Sequence, residues 1–241
     1  MRDEWNDLAV YYEELYVDPE QYQREAAKVS ELIKTYQLSD GNNLLDLACG
    51  TGGHIPYWRG QYIVAGLDLS PSMLERAVRR FPDIEFHLGD MVDFTLKQSY
   101  DAIVCLYGSI GFVRTLDNLN KALANFTAHL KPGGILCLTP WSTQEEFKPE
   151  IVAAVVNRPD THICRMENVK RKAPDLIEID FHHLIGRDNT VQYHTQSFEI
   201  GLFSQQQYLD AIGRAGLELM EFHRDPDTPM GVFVARRKTT L

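Results

Sequence analysis

One stretch decides the fold class: LLDLACGTGGH, from Leu44 to His54. Its first five residues are apolar except for Asp46, which is typical of a buried strand. The glycines that follow permit a tight turn and a close approach of the backbone to a ligand. The stretch therefore predicts the strand, loop and helix start of a nucleotide-binding α/β domain, although a plain strand-to-helix turn also fits it.

Outward from this loop, apolar strands alternate with amphipathic helices. The predicted strands are LLDLA (44–48), YIVAGLDL (62–69), IEFHLGD (84–90), YDAIVCLY (100–107) and ILCLTP (135–140). The predicted helices between and before them are 4–37, 70–81 and 116–130. Near-continuous apolar strands separated by helices are typical of a parallel sheet covered on both faces.

The pattern changes after Trp141. Polar and apolar residues alternate in 160–200, which predicts antiparallel strands, and a helix and two further strands follow. The predicted fold is α/β, a Rossmann-like and mostly parallel seven-stranded sheet with helices on both faces and an antiparallel cap inserted after the fifth strand. The predicted core comprises residues 1–140 and 201–241, and its N-terminal helices, within 4–37, cover the ligand site. The predicted cap comprises residues 141–200 and shapes a substrate pocket.

Composition narrows the possible partners. The chain has 241 residues and a formal net charge of −10, and an acidic chain of this kind repels the phosphates of nucleic acid. No apolar run approaches the roughly 20 residues of a membrane span, and the N-terminus lacks a signal-like apolar segment. The four cysteines match no zinc pattern and read as reduced thiols, which predicts a cytoplasmic protein.

Three acids follow or end successive strands, at Asp46, Asp68 and Asp90. A carboxylate at the position of Asp68 can accept both hydroxyls of an adenosine ribose. The pair Asp90-Met91 suits an adenine ring, because the acid can accept from the amine while the apolar side chain packs on the ring. A dinucleotide-binding dehydrogenase also carries an acid here, but its GxGxxG loop fits CGTGGH poorly.

Five motifs add a family resemblance: DLACGTGGH, GLDLSPSMLERA, GDMVDF, YDAIVCLYGSIGF and LKPGGIL. In order and spacing they are similar to the motifs of class I S-adenosylmethionine-dependent methyltransferases. A narrower resemblance, to nucleotide-linked amino-sugar N,N-dimethyltransferases, rests on PWSTQEEFKPEIVAA, LIEIDFHHLI, HTQSFEIGLFSQQQY and TPMGVFVA. The resemblance implies S-adenosyl-L-methionine as cofactor, S-adenosyl-L-homocysteine as product, and N-methylation of a small amine.

The resemblance also implies a set of cofactor-binding positions near the ends of the strands and on the N-terminal helices. These positions are Tyr22, Asp46, Ala48, Gly50, Asp68, Leu69, Met73, Asp90, Met91 and Leu106. On the acceptor side, Phe112 stands where the family can carry a histidine, and Asp180 replaces another histidine of the cap. Trp141 follows the fifth strand at the edge where ligands bind, so it lines the acceptor site or only covers the core.

Methyl transfer from a sulfonium needs alignment of the acceptor and exclusion of water more than it needs acid–base power. An amine must still lose its proton before it attacks. The predicted catalytic residues are Tyr12, which orients the acceptor, with His194 and Asp180 assisting. His182 and His183 are neighbours on a strand, so at most one of them faces the pocket.

Other functions remain open at this point. A small-molecule O- or C-methyltransferase has the same cofactor site, and a non-catalytic cofactor-binding partner subunit or a dehydrogenase keeps a similar loop. The histidines are scattered, so no metal is predicted. The predicted partner is a small-molecule acceptor, with no nucleic acid and no membrane, and the chain is predicted to be a monomer or a homodimer.

Overall fold

The computed structural model describes residues 11–16 and 18–239. Two sheets contain all strands of this part of the chain. The strands are β1 (Asn43–Leu47), β2 (Ile63–Asp68), β3 (Glu85–Leu88), β4 (Tyr100–Cys105), β5 (Leu130–Leu138), β6 (Glu150–Asn157), β7 (His162–Ala173), β8 (Leu176–Arg187), β9 (Thr190–Gly201), β10 (Leu217–His223) and β11 (Val232–Arg237). The first five, with β10 and β11, form the seven-stranded sheet, and β6 to β9 form the second sheet.

The seven-stranded sheet has the order β10-β11-β5-β4-β1-β2-β3. Strands β1 to β5 are parallel to one another, whereas β11 runs antiparallel to both β5 and β10. The strand order reverses between β1 and β4, and ligands of open α/β sheets bind in the crevice at that point, outside the carboxyl ends of the strands. The predicted seven-stranded, Rossmann-like fold is confirmed.

Helices cover both faces of this sheet. They are α1 (Tyr12–Tyr16), α2 (Pro19–Tyr36), α3 (Ile55–Trp58), α4 (Pro71–Arg80), α5 (Leu116–His129) and α6 (Gln205–Arg214), with a 3₁₀ helix at Ser109–Val113. Successive strand residues point to opposite faces, so Leu44 packs with α2 and α3 while Leu45 packs with α5 and α6. Each face thus has its own buried core.

The longer helices begin at polar caps that the sequence supplies. The Ser70 hydroxyl accepts a hydrogen bond from the Met73 amide, and Asp18 accepts from the Glu20 and Gln21 amides. A proline follows each of these caps, where its missing N–H costs nothing. Within the described residues, the predicted helix 4–37 is two helices, α1 and α2. Residues 4–10 and 17 of that prediction lie outside the described part of the chain.

The second sheet is an antiparallel insertion between β5 and α6, as predicted. The sequence pattern predicts strands only within 160–200, whereas the structure adds β6. This edge strand reads EIVAAVVN and has apolar residues on both faces, so it shows no alternation that would predict a strand. The exact division into core and cap at residues 141 and 200 stays a prediction.

Among the described residues, no helix is long and apolar enough to cross a membrane. The same residues contain no group of three or more His, Cys, Asp or Glu side chains arranged to hold a metal ion. The cytoplasmic location stays a prediction.

Candidate active site

The loop after β1 has an unusual backbone. Ala48, Gly50 and Gly52 all have positive φ angles, of 56°, 54° and 78°. Alanine rarely adopts this left-handed conformation, and such strain concentrates at functional sites. A Cβ added to Gly50 would meet no atom within 4 Å, so the glycine leaves open space beside the loop. The loop therefore lets a ligand approach its backbone closely.

Asp68 connects this loop to the next helix. Its Oδ2 accepts a hydrogen bond from the Gly50 amide at 2.7 Å, and its Oδ1 accepts from the Ser70 amide at 2.9 Å. Carboxylate oxygens can each accept more than one hydrogen bond, so this group can accept ligand hydroxyls as well. The Gly89 amide donates to the Asp68 carbonyl at 3.0 Å, which brings Asp90 to the same edge of the sheet.

A narrow cavity of about 40 Å³ opens at this edge. Its walls come from the glycine loop, from α1 and α2, and from the segment after β4. The lining residues are Tyr12, Tyr22, Asp46, Ala48, Cys49, Gly53, His54, Leu106, Tyr107 and Ser109. A larger, open groove of about 420 Å³ lies at the amino ends of β1 and β2, away from the strand-end acids, so the smaller cavity is the candidate site. Small-molecule sites usually measure ~300 Å³ or more, so this cavity has room for only part of such a ligand.

Asp46 is the most unusual group of the cavity. Its residue is only 3% exposed, and its Oδ2 has no hydrogen-bond partner among the described residues. Burial raises the pKa of this carboxyl to about 7, an effect that Asp68 and Glu25 increase and the charge of His54 opposes. A buried carboxylate without a partner is costly unless a ligand satisfies it, so the site favours a cationic group here.

Tyr12 lines the same cavity. Burial, with a smaller contribution from the negative charge of Asp68, raises the pKa of its hydroxyl to about 12. The pKa of the Cys49 thiol is also raised, first by burial and then by Asp68 and Asp46. The raised pKa values of these groups indicate a negative electrostatic potential in the cavity, which attracts positively charged ligands.

The structure brings four of the predicted cofactor residues together, since Tyr22, Asp46, Ala48 and Leu106 line the cavity, and the predicted catalytic residue Tyr12 lines it with them. Of the others, Gly50 lies in the loop after β1, and the rest end or follow β2 and β3, where Met73 on α4 is buried, Leu69 is 48% exposed and Met91 packs on the core. Asp90 accepts a hydrogen bond from the Val92 amide at 2.9 Å and so closes the turn after β3. Their cofactor contacts stay predictions.

The predicted substrate residues lie where the cap meets the core. Phe112 packs edge-on against Phe198 of β9, with ring centroids 5.8 Å apart. Trp141 packs against Phe147, with centroids 6.3 Å apart. A Cβ on Gly108 would come within 2.5 Å of Trp141, so the loop after β4 lies directly against this residue. Both aromatic residues therefore join the cap to the segment that lines the cavity.

The cap sheet separates the other predicted catalytic residues. His194 lies opposite His183 in the register, so both face the core side of the sheet. Asp180 alternates with the buried Ile179 and Phe181 and therefore lies on the outer face, where Lys170 and the Ser197 hydroxyl each donate to it at 2.7 Å. The structure does not bring Asp180 together with Tyr12.

Helix α1 connects the cavity to the cap. The Arg76 guanidinium donates to Glu13 at 2.8 Å, which fixes α1 on α4. At the other end, the Tyr16 hydroxyl lies 3.4 Å from Nε2 of His183, and the Arg165 guanidinium stacks 4.7 Å from the Tyr16 ring. Burial lowers the pKa of His183 to about 4, so this histidine is neutral. The helix holds Tyr12 over the cavity.

Sequence reasoning missed one pair in the site, Glu25 and His54. Both are buried, and Nε2 of His54 lies 2.9 Å from a carboxylate oxygen of Glu25. The histidine is the last residue of the motif CGTGGH, but Glu25 is 29 residues away on α2. No periodic pattern links positions so distant, so only the fold reveals the pair.

These features fit the S-adenosylmethionine that the sequence resemblance implies. Asp68 is placed for ribose hydroxyls, the open space at Gly50 admits the ligand beside the loop, and the unpartnered Oδ2 of Asp46 suits a cationic end group. The negative potential of the cavity suits a ligand that carries a sulfonium and an ammonium.

Comparisons with known proteins agree with this geometry. The family described as "Methyltransferase domain" matches residues 44–134. A relative from Streptomyces fradiae, named dTDP-3-amino-3,6-dideoxy-alpha-D-glucopyranose N,N-dimethyltransferase, is 37% identical over 88% of this chain and 83% of its own length. A relative from Streptomyces venezuelae, named dTDP-3-amino-3,4,6-trideoxy-alpha-D-glucopyranose N,N-dimethyltransferase, is 33% identical over 88% of this chain and 90% of its own.

Solved structures give the same result. The crystal structure of DesVI from Streptomyces venezuelae is 31% identical and superposes with a TM-score of 0.84 over 91% of this chain and 92% of that one. An amino pentose methyltransferase from Micromonospora echinaspora, solved with S-adenosylmethionine bound, is 30% identical with a TM-score of 0.84 over 95% of both chains.

Proposed function

The chain belongs to the S-adenosylmethionine-dependent methyltransferases, and we propose that it N-methylates the amine of a nucleotide-linked amino sugar. The family membership confirms the prediction from the sequence motifs and excludes the dehydrogenase alternative. The relatives named as N,N-dimethyltransferases of dTDP-amino sugars carry the proposal, because they are similar over the cap as well as the core. The cap is where a substrate pocket differs between methyltransferases of one fold.

The site supports this chemistry through position and charge. When bound, the cofactor supplies a methyl group that its positive sulfur already activates. Tyr12 stays protonated up to about pH 12, so its hydroxyl orients the acceptor by hydrogen bonding and does not act as a phenolate base. The rings of Tyr12, Tyr22 and Tyr107 line the narrow cavity and exclude water from it. Asp180 is not part of the proposal, because it lies on the outer face of the cap.

The substrate is tested by incubating the protein with S-adenosylmethionine and a set of dTDP-linked amino sugars that differ in amine position. We expect a mass gain of one or two methyl groups on one of them, measured by mass spectrometry. Amine-free analogues of the same nucleotide sugars are the matched controls. Methylation of those hydroxyl-only analogues at an equal rate would replace the N-methyltransferase proposal with an O-methyltransferase.

Changing Tyr12 to phenylalanine tests its orienting role. We expect kcat/KM for the acceptor to fall about 10- to 100-fold, because the loss of one hydrogen bond misplaces the amine. The Kd for S-adenosylhomocysteine should stay within about twofold of the original value, since phenylalanine keeps the ring.

Two comparisons make this test specific. Tyr11→Phe removes a hydroxyl from the neighbouring position and should leave kcat/KM unchanged. His194→Ala tests the assisting histidine on the inner face of the cap. If Tyr12→Phe and His194→Ala both kept full activity on the identified acceptor, neither residue would have the proposed role.

We also propose that the protein is a homodimer that pairs through the outer face of the cap sheet. Six large apolar side chains on this face are each at least 48% exposed. They are Ile151, Val155, Met166, Leu184, Val191 and Tyr193. Three strands of 12 residues and one of 8 cover roughly 700 Å², somewhat less than the ~800 Å² that each partner buries in a standard interface.

The charges of the outer face also permit a second copy to approach. Lys170 lies 2.8 Å from Glu178 and 2.7 Å from Asp180, while Lys172 lies 2.6 Å from Glu178 and 2.8 Å from Glu199. These ion pairs nearly neutralise the face within one protomer. The net charge of −10 is therefore carried mostly by other surfaces, and repulsion between two copies is weak at this face.

Leu184→Asp tests the interface. Light scattering after size exclusion should give twice 27.6 kDa for the unchanged protein and 27.6 kDa for the variant, because a buried unpaired carboxylate opposes association. Val78→Asp is the matched control, since Val78 is also 48% exposed but lies on α4. A monomeric unchanged protein would rule out the dimer.

A further inference from the structure

Helix α1 is too short to hold its own position. It has five residues, Tyr12–Tyr16, and isolated helices shorter than about 12 residues are marginal in water. None of these five residues is basic, although the unpaired carbonyls at the end of a helix favour a cation. The place of Tyr12 over the cavity therefore depends on what other elements of the fold supply to this helix.

The cap supplies the missing cation through Arg165 of β7. Its Nη1 donates to the Leu15 carbonyl at 3.3 Å, and its guanidinium stacks 4.7 Å from the centre of the Tyr16 ring. Arginine suits this place because its planar charged group can stack on an aromatic ring and donate hydrogen bonds at its edge. One side chain of the cap thus holds both the backbone and the ring at the end of α1.

The surroundings of Arg165 keep its guanidinium in place. Its Nε lies 2.9 Å from a carboxylate oxygen of Glu167, which is two residues further along β7 and on the same face. The two side chains are only 14% and 15% exposed, and taking both charges out of water is costly, so stability alone explains the pair poorly. Opposite Arg165 in the register, His183 of β8 gives the Tyr16 hydroxyl a second contact, at 3.4 Å from Nε2.

Tyr16 passes this placement on to Tyr12. The two residues are one turn apart on α1, and their ring centroids are 5.2 Å apart. Tyr12 lines the cavity, whereas Arg165 is not among the described residues that do so. Arg165 therefore reaches the cavity through α1 and not through its own side chain.

The core holds the other end of α1. Glu13 accepts a hydrogen bond from the Arg76 guanidinium of α4 at 2.8 Å, and the Arg80 guanidinium lies 3.5 Å from the same carboxylate. The core thus fixes the first turn of α1, and the cap fixes its end.

We propose that Arg165 is a positioning residue for the methyl transfer. It holds Tyr16, and through it Tyr12, in the place where the Tyr12 hydroxyl orients the acceptor amine, and Arg165 itself touches neither cofactor nor acceptor. The proposal rests on the proposed N-methyltransferase function and on the orienting role of Tyr12. It predicts that the cap controls the rate of transfer and leaves cofactor affinity nearly unchanged, because the acids and the glycine loop of the cofactor site belong to the core.

A double-mutant cycle tests the proposal. Arg165→Ala should lower kcat/KM for the acceptor about tenfold, because a small displacement of an orienting group is costly for the rate. In the Tyr12→Phe background the same change should lower kcat/KM by less than about twofold, because the hydroxyl that Arg165 places is already absent. The Kd for S-adenosylhomocysteine should stay within about twofold of the original value in each variant, since sites that share no partner are nearly independent.

Arg171→Ala is the matched control. Arg171 lies on the same strand, stacks 5.0 Å from the centre of the Phe147 ring and donates to the Pro174 carbonyl at 2.7 Å. It therefore makes the same two kinds of contact, but with partners that do not belong to α1. Its removal should leave kcat/KM for the acceptor within about twofold of the original value.

Arg165→Lys is the conservative variant. Lysine keeps the positive charge but lacks the planar fork of donors, so it should restore part of the activity that alanine loses. Arg165→Lys also replaces Arg165→Ala in the cycle if circular dichroism shows that the alanine variant is unfolded, and its smaller loss of kcat/KM should again disappear in the Tyr12→Phe background.

Hydrogen exchange in the S-adenosylhomocysteine complex tests the anchor without an acceptor. The peptide that contains Tyr12–Tyr16 should exchange faster in Arg165→Ala than in the unchanged protein, because local opening of α1 then costs less free energy. The same peptide should keep its original exchange rate in Arg171→Ala.

The outcomes separate this proposal from the function on which it rests. If no amine acceptor is methylated, the proposed function fails, and the exchange of α1 alone decides whether Arg165 anchors the helix. If the acceptor is methylated and Arg165→Ala lowers kcat/KM equally in both backgrounds, Arg165 acts without Tyr12, for example by touching the acceptor, and the present proposal is wrong. Full activity of Arg165→Ala, or unchanged exchange of α1, would also overturn it.

Discussion

Replacing Asp46 with asparagine is expected to make the cofactor-free protein more stable at neutral and higher pH and to weaken cofactor binding. Asp46 has a buried oxygen without a partner among the described residues, so its ionised form carries a desolvation cost that asparagine avoids. The same substitution removes the charge that suits a cationic ligand. We therefore expect the Kd for S-adenosylhomocysteine to rise about 10- to 100-fold.

The effect on stability depends on pH in a defined direction. The pKa of Asp46 is raised from 3.8 to about 7 in the folded protein. Between these values the folded state holds a proton that the unfolded state has lost, so the free energy of unfolding falls as pH rises. This decrease in the free energy of unfolding is absent below pH 3.8 and complete above about pH 7, where it reaches at most about 4 kcal/mol.

Thermal unfolding of the free protein and of Asp46→Asn at about pH 5 and about pH 8 measures this cost. The variant should gain more in Tm at the higher pH, at roughly 2 to 4 °C for each kcal/mol. Asp83→Asn, which changes an exposed acid paired with Arg59, is the control and should show no such pH dependence. An equal Tm for Asp46→Asn and the unchanged protein at both pH values would contradict the account.

Asp68→Asn is expected to weaken cofactor binding by roughly 100-fold, because two charge-assisted hydrogen bonds to ribose hydroxyls are lost. The Gly50 and Ser70 amides donate to different oxygens of Asp68, and asparagine replaces one of these oxygens with an NH₂ donor, so one of the two bonds is also lost. The loop after β1 should therefore loosen as well.

Calorimetry with S-adenosylhomocysteine measures the loss for Asp68→Asn, and circular dichroism checks the fold. The comparison with adenosine as ligand separates the two effects, since adenosine carries the ribose but lacks the ammonium. Asp68→Asn should lose affinity for both ligands, whereas Asp46→Asn should lose affinity mainly for S-adenosylhomocysteine. A Kd near the original value for Asp68→Asn would remove Asp68 from the ribose assignment.

The sequence predicts the core of this fold because its signals are local. The apolar runs at β1, β2 and β4, and the glycines after β1, each act through a few neighbouring residues. It predicts that a helix starts after the glycine loop but gives no bounds for the short helix α3, and it misses β6, whose apolar residues on both faces hide any alternation. An edge strand with half-buried residues is defined by its pairing with β7, which sequence periodicity does not contain.

The predicted catalytic residues of the cap show a second limit of prediction from the sequence. Strand alternation predicts that Asp180 and His183 lie on opposite faces of β8. It does not predict which face meets the core, because that depends on how the cap sheet packs. The packing of Ile179 and Phe181 with Phe198 decides it and turns Asp180 outward.

The sequence by itself determined the fold class, the methyltransferase family and the glycine loop from Leu44 to His54, because strand, turn and helix signals lie within short stretches. Only the tertiary structure decided what surrounds that loop. It paired His54 with Glu25, placed Tyr16 on His183 across 167 positions, and left Asp46 buried without a partner among the described residues. Burial and long-range contacts set the charge of a site, and both exist only once the chain is folded.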